Sequence, residues 1–463
     1  MQDSGKRLFF VGIGGARLNA LAKLYADRGY QVAGSDRQAS KTTEELIARG
    51  IPVTYGHDPA QMPPADLVVY TNAVGEDNPQ VLAAKAQNIP VLEGAELLGK
   101  LMTEVGYGIA VSGTHGKTTT TSMLALILTK AGVDPTVLIG GELSAIGGNH
   151  RTGKSQYIVV EACEFRRSFL QLSPTITVVT NIDWDHPDCF PTPDAVVDGF
   201  CQFTEKLPAD GCLIINGDDP RCEKLVPHAK ARVIRFGTDP ECDLRALRIH
   251  PDEKMLGSRT ELHWQGRPVV ELTLRVPGVH NVLNAMAAMA AAAQLGVDLE
   301  TSARILREFT GVRRRFEIKG EADGVLVVDD YAHHPAAIAT TLAAARQHYH
   351  GRIWCVFQPH LFSRTRFLMN EFAKAFVDCD ILVLADIYAA RELDPGDVSS
   401  RLLAERTREY LSDVRYIPDQ EAIVAHLLEK ARPGDLIITM GAGDIWKAGE
   451  AFLREKVALK ALR

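Results

Sequence analysis

The sequence predicts three consecutive α/β domains, and three observations carry that expectation. At 463 residues the chain is too long for one ordinary domain and suggests roughly three. Short apolar runs ending in glycine or acidic residues alternate with longer helical patterns almost throughout, the signature of parallel α/β units. The series restarts near residues 105 and 315, which divides the chain into 1–105, 106–314 and 315–463.

Taken in order, the first series opens with a strand over Leu8–Ile13, a glycine turn, and a helix through about Arg28. A strand over Gln31–Ser35 ends at Asp36, and further runs follow at Ile51–Tyr55 and Leu67–Thr71. The pattern weakens at Thr103–Gly106. The second series comprises Tyr107–Ser112, Tyr157–Val160, Ile176–Thr180 and Leu213–Ile215. Between about Ala231 and Val276 polar and apolar residues alternate, which predicts an antiparallel excursion. The Ala-rich stretch Asn281–Val297, interrupted by Asn281, Asn284 and Gln294, reads as a buried helix rather than a membrane span. The third series runs through Val325–Val328, Arg352–Phe357, Ile381–Leu384, Val414–Ile417 and Leu436–Met440.

Composition narrows the function classes. Apolar residues make up 46% and charged residues 24%, ordinary globular material. The net charge of −7 with no long basic run argues against nucleic acid as a partner. The eight cysteines form no CxxC pair and read as reduced thiols. MQDSGKRLFF lacks a signal-peptide core, so the expectation is a cytoplasmic chain with no membrane partner, a monomer or a homodimer.

The strongest local signal is Gly113-Thr114-His115-Gly116-Lys117-Thr118-Thr119, between a strand and a helical run. Glycines let backbone N–H groups curl around phosphate oxygens, and a helix N-terminus adds the positive end of its dipole. Lys117 can reach outer phosphates and the Thr118 hydroxyl can hold Mg²⁺. This makes the central domain P-loop ATPase-like, with a shorter loop than the usual pattern, because Val111 stands where its first glycine would be. Two more strands of this domain end in polar groups, at Glu161 and at Asn181, Asp183, Asp185 and His186. Ligands of open α/β sheets bind beyond such strand ends. Glu161 suits Mg²⁺; His186 alone reads equally well as a structural histidine. Lys117 and Glu161 are both expected to project into a cleft, so neither should be needed for folding.

GTHGKTTTT, EACEF, TNIDWDH, HNVLN, GVRRRFE, DDYAHHP, FQPHLFSRT and GAGDI occur in the order seen in the Mur ligases, and the chain resembles that family over essentially its whole length. The set is most similar to the members that join L-alanine to UDP-N-acetylmuramate. The resemblance implies a Rossmann-like first domain for the UDP-sugar, a central ATP and Mg²⁺ domain, and a Rossmann-like third domain for the amino acid. It implies that Lys117 contacts ATP phosphates, that Thr118 and Glu161 serve Mg²⁺, and that His186 holds a second Mg²⁺. Asn281 and Asn284 would help hold the nucleotide. Arg315 would neutralise the transferring phosphoryl group, with Asp330 beside the nucleotide, while Arg313 fits a solvated basic linker. Tyr331, His333, His334, His360 and Arg364, with Ser363, would border the amino-acid pocket.

In the first domain Gly12, Gly14 and Gly15 form the turn, and Asp36, His57, Thr71 and Asn72 fall at strand ends. The resemblance makes these the UDP-sugar contacts. Related ligases prefer glycine where this chain has Arg17, followed by Met-Ser where it has Leu18-Asn19. Arginine there could face the sugar diphosphate or point to solvent. The implied reaction is ATP-dependent amide formation through an acyl phosphate. A recycling ligase that attaches a preformed peptide, and a non-catalytic nucleotide-binding homologue, are the alternatives.

Overall fold

The chain, described by a computed structural model over residues 5–186, 189–252, 256–390 and 392–461, builds three sheets. The first comprises β1 (Arg7–Val11), β2 (Gln31–Asp36), β3 (Val53–Tyr55), β4 (Leu67–Tyr70) and β5 (Val91–Glu93). All are parallel, in the order β3-β2-β1-β4-β5. β1 is buried beyond Arg7, as the central strand of a sheet covered on both faces must be. The turn after it leads into the helix Ala16–Asp27.

The central sheet holds β6 (Tyr107–Ser112), β7 (Thr136–Leu143), β8 (Gly148–Arg151), β9 (Tyr157–Glu161), β10 (Ile176–Val179), β11 (Cys212–Asn216), β12 (Arg232–Gly237), β13 (Leu244–Pro251), β14 (Ser258–Trp264) and β15 (Arg267–Leu274). Their order is β15-β14-β13-β12-β11-β10-β6-β9-β7-β8. β6 sits between β10 and β9, so the loop leaving it opens between the two neighbours that end in Glu161 and Asn181. The helix Lys117–Lys130 packs on the Ala-rich helix Val279–Ala293, which is buried as the sequence predicts. Alanine's small side chain permits that close approach and gives up little rotamer entropy.

The third sheet contains β16 (Glu317–Ala322), β17 (Val325–Asp330), β18 (Ile353–Phe357), β19 (Ile381–Leu384), β20 (Val414–Tyr416) and β21 (Leu436–Met440), in the order β16-β17-β21-β18-β19-β20. Only β16 runs antiparallel.

The structure amends the sequence reading in three places. Thr103–Val105 is the last turn of a helix, Gly94–Val105, and its weak pattern reflects a helix end rather than a break in structure. The antiparallel excursion starts only at β13, because β12 pairs parallel with both β11 and β13. A helical crossover over 220–228 fixes the direction of β12, although its half-exposed alternation resembles the hairpin strands. The hairpin β7–β8 and the edge strand β16 went unread, since a Gly-Gly pair and half-exposed polar residues blur their period. The hairpin matters because it docks on the first domain: Asn149 donates to Asn19 Oδ1 at 2.7 Å, and His150 lies 2.9 Å from Asp27. Among the described residues no helix is long and apolar enough to cross a membrane.

Candidate active site

The loop after β6 can be built only with glycine at two places. Gly113 has φ 125° and Gly116 φ 82°, and an added Cβ would come within 2.1 Å of Thr180 Oγ1 and 2.3 Å of Asn284 Oδ1. Asn181 pins the loop by accepting from the His115 N–H at 2.9 Å, while Thr114 N–H reaches its carbonyl at 3.0 Å. The helix then starts at Lys117 with no side chain capping its N-terminus. Its first-turn N–H groups and dipole are thus left for an anion. Thr118 and Thr119 are buried in that turn.

Thr118 Oγ1 donates to Glu161 Oε1 at 3.0 Å, and the other carboxylate oxygen accepts from Gly140 N–H at 2.8 Å. These hard oxygens converge at the loop's mouth, a donor set that fits Mg²⁺. His186 borders the same cavity, but its ring lies 4.9 Å from Phe165 and its Nε2 3.7 Å from Asp185. Asn281 and Asn284 face the cavity as well, bonded to each other at 3.3 Å, with Asn284 accepting from Thr120.

Sequence reasoning missed Glu164. Its side chain is 3% exposed and lies 2.9 Å from the Lys117 ammonium, which also donates to the Gly113 and Thr114 carbonyls. Burial, the largest single influence, would lower the Lys117 pKa, but Glu164 together with Cys163 and Glu161 outweighs it and the net shift is upward. The expectation that Lys117 is dispensable for folding is therefore corrected: its side chain neutralises a buried carboxylate. The available signal was an acidic residue just past the β9 terminus.

The third domain supplies the facing wall. Asp330 at the end of β17 accepts from the Phe316 and Ala332 N–H groups, each at 2.7 Å. Burial raises its pKa, against the pull of Arg315 and those amides. Arg315 stacks over Tyr331 at 4.9 Å. The basic run is partly solvated, but its first two arginines are both paired. Arg313 pairs with Glu142 at 2.7 Å, and Arg314 pairs with Asp329 at 3.1 Å. His333 Nδ1 lies 2.9 Å from the Tyr331 carbonyl, and His334 faces His115 across the boundary.

Two cavities, of about 510 and 550 Å³, open on this wall. The first runs from the glycine loop to Asp330 and His334; the second reaches the first domain at Gly14 and Arg17. Thr118, Glu161, Arg315 and Tyr331 border both. Other expected residues lie off these walls. Gly12 and Gly15 shape the turn, and Gly14 N–H donates to Asp36 at 2.8 Å. His57 bonds Ser35, Asn72 bonds Glu93, and Thr71 follows the end of β4 within the first domain. His360 stacks on Tyr388, Ser363 is held by Glu392, and Arg364 is buried on Asp185 at 3.2 Å. Burial would raise the Asp185 pKa, but Arg364 and nearby histidines hold it well below the usual carboxylate range.

Arg17 points neither to solvent nor only into a cavity. Its guanidinium donates to Ser168 Oγ of the central domain at 3.2 Å, while the side chain borders the second cavity. Arg17→Ala is expected to raise KM for the ligand of that cavity about tenfold, the worth of one charge-assisted hydrogen bond, with KM for ATP unchanged. Initial rates against each substrate test this, and an unchanged KM would leave Arg17 as a tie between domains only.

Family models agree with this architecture. Residues 7–105 match the Mur ligase family catalytic domain, 111–292 the Mur ligase middle domain, and 314–443 the Mur ligase glutamate ligase domain. UDP-N-acetylmuramate–L-alanine ligase of Acetivibrio thermocellus is 46% identical over 97% of this chain and 96% of its own. The corresponding protein of Geobacter sulfurreducens is 44% identical over 97% of each. Among solved structures, UDP-N-acetylmuramate-alanine ligase from Thermotoga maritima superposes with TM-score 0.84 at 27% identity, over 98% of this chain and 99% of that one. A murein peptide ligase from Psychrobacter arcticus gives 0.74 at 25% identity over the same shares. With family models matching each of its three domains and relatives 44% and 46% identical over 97% of its length, the chain belongs to the Mur ligase family.

Proposed function

We propose that the chain joins L-alanine to the carboxylate of UDP-N-acetylmuramate at the expense of ATP. The observation that carries this reading is the wall shared by the two cavities. A nucleotide in the first and an acceptor in the second would meet at Thr118, Glu161 and Arg315. Lys117 and the uncapped helix N-terminus bind the phosphates, and the first domain holds the sugar nucleotide through Gly14 and its neighbours. Thr118 and Glu161, with His186 beyond them, would hold Mg²⁺, which when bound supplies positive charge to phosphoryl oxygens. Arg315 offsets charge on the group in transfer, and Asp330 fixes the Arg315–Phe316 turn that aims it. The muramate carboxylate attacks the γ-phosphorus, the bond to ADP breaks, and the alanine amine then displaces phosphate from the acyl carbon. The third domain, packed on the central one, excludes water that would hydrolyse the acyl phosphate.

The test is phosphate release from ATP with each component omitted in turn. Turnover is expected only with Mg²⁺, UDP-N-acetylmuramate and L-alanine all present, with ¹⁸O from the muramate carboxylate appearing in the phosphate. Turnover with a preformed peptide and none with L-alanine would assign a recycling ligase instead.

A further inference from the structure

His115, Asp183 and His334 converge where the third domain meets the glycine loop. One ligand atom from each lies within 4.8 Å of the others, and His115 Nε2 is 3.7 Å from Asp183. His115 belongs to the loop, Asp183 follows β10, and His334 precedes the helix Pro335–His348. The two rings lie 5.0 Å apart. His334 is only 6% exposed, and neither of its ring nitrogens has a protein hydrogen-bond partner; His115 Nε2 has none either. A neutral imidazole carries one lone pair and one N–H, so leaving both buried and unused is costly unless a ligand engages them.

We propose that His115, Asp183 and His334 form a site for a borderline divalent cation of the zinc class, whose occupancy clips the third domain to the glycine loop. Two imidazoles and a carboxylate are a donor set for such ions, whereas the Thr118–Glu161 pair offers hard oxygens. Four-coordinate bonds of 2.0–2.1 Å place ligand atoms about 3.4 Å apart, so the cluster closes by side-chain rotations of about an ångström. For Asp183 and His334 the protonation states are those a metal needs. The neighbouring His115 ring holds the Asp183 pKa down at about 2, and burial keeps that of His334 below its ordinary value. The fourth position stays open.

Co²⁺ titration of the full chain, with Mg²⁺ in excess to fill the oxygen pair, tests the assignment. One equivalent should give the intense visible absorption of four-coordinate Co²⁺, and Zn²⁺ should displace it, in keeping with its higher affinity. Asp183→Asn and His334→Gln should each weaken Co²⁺ binding by on the order of 10²-fold or more, since losing a partner of a ligand already costs about 10–100-fold. Glu161→Gln should leave it unchanged. Zn²⁺ should also raise the melting temperature of the parent chain and slow its cleavage by trypsin, and do neither in the variants. His115→Gln serves in place of a variant whose circular dichroism is altered. Only the faint spectrum of six-coordinate Co²⁺, binding that survives in either folded variant, or binding lost in Glu161→Gln would overturn the site. None of these readouts involves turnover, so the proposal stands or falls apart from the ligase reading.

Discussion

Lys117→Ala is expected to lower kcat by on the order of 10²-fold or more, the scale of losing one preorganised charge contact in a transition state. It is also expected to destabilise the fold, which a lysine reaching freely into a cleft would not do. Lys117 is 13% exposed and its partner Glu164 3%, so truncation strands a carboxylate in a site that water scarcely reaches. Removing one partner of a buried pair costs about 3–5 kcal/mol, mostly from the uncompensated charge. Thermal melts should therefore show a clear drop for Lys117→Ala, largely recovered in Lys117→Ala/Glu164→Gln, where the stranded group is neutral. The rate should not recover. Phosphate-release kinetics and melts on the single and double variants separate the two effects. Wild-type turnover in either variant would remove Lys117 from the phosphate site, and an unchanged melting temperature in the single variant would show that Glu164 finds another counter-charge.

Glu161→Ala is expected to cost a similar factor in kcat, on the order of 10²-fold, by a different route. The side chain touches the Thr118 hydroxyl and the exposed Gly140 N–H, and forms no salt bridge among the described residues, so stability should change little. What is lost is one of two converging oxygen donors. Raising Mg²⁺ should thus recover part of the rate in Glu161→Ala and none in Lys117→Ala. Rates measured across a Mg²⁺ series decide the matter, and equal Mg²⁺ dependence in Glu161→Ala and the parent chain would remove the carboxylate from the metal site.

These expectations divide according to how far each relied on local sequence. The glycine loop was legible because its determinants are consecutive: a buried strand, two glycines required by positive φ and close neighbours, then a helix start. Glu161 and Asp330 were legible because each ends an apolar strand, and strand ends in parallel sheets face the ligand crevice. The Ala-rich helix and the strands β6, β9, β10 and β11 follow from apolar runs whose burial leaves little choice of structure.

The sequence by itself thus determined the α/β class, the phosphate loop and the residue types at the ends of its neighbouring strands. Only the tertiary structure decided partners. Lys117 meets Glu164 rather than Glu161, Arg17 crosses to Ser168, and Arg313 reaches Glu142 at the surface. Each pairing joins segments far apart in the chain, and a charged residue's periodicity is the same whichever partner it finds. The meeting of the two cavities at Thr118, Glu161 and Arg315 has the same origin. It depends on how three separately folded sheets dock, which is set by side-chain packing between domains and leaves no period in the sequence.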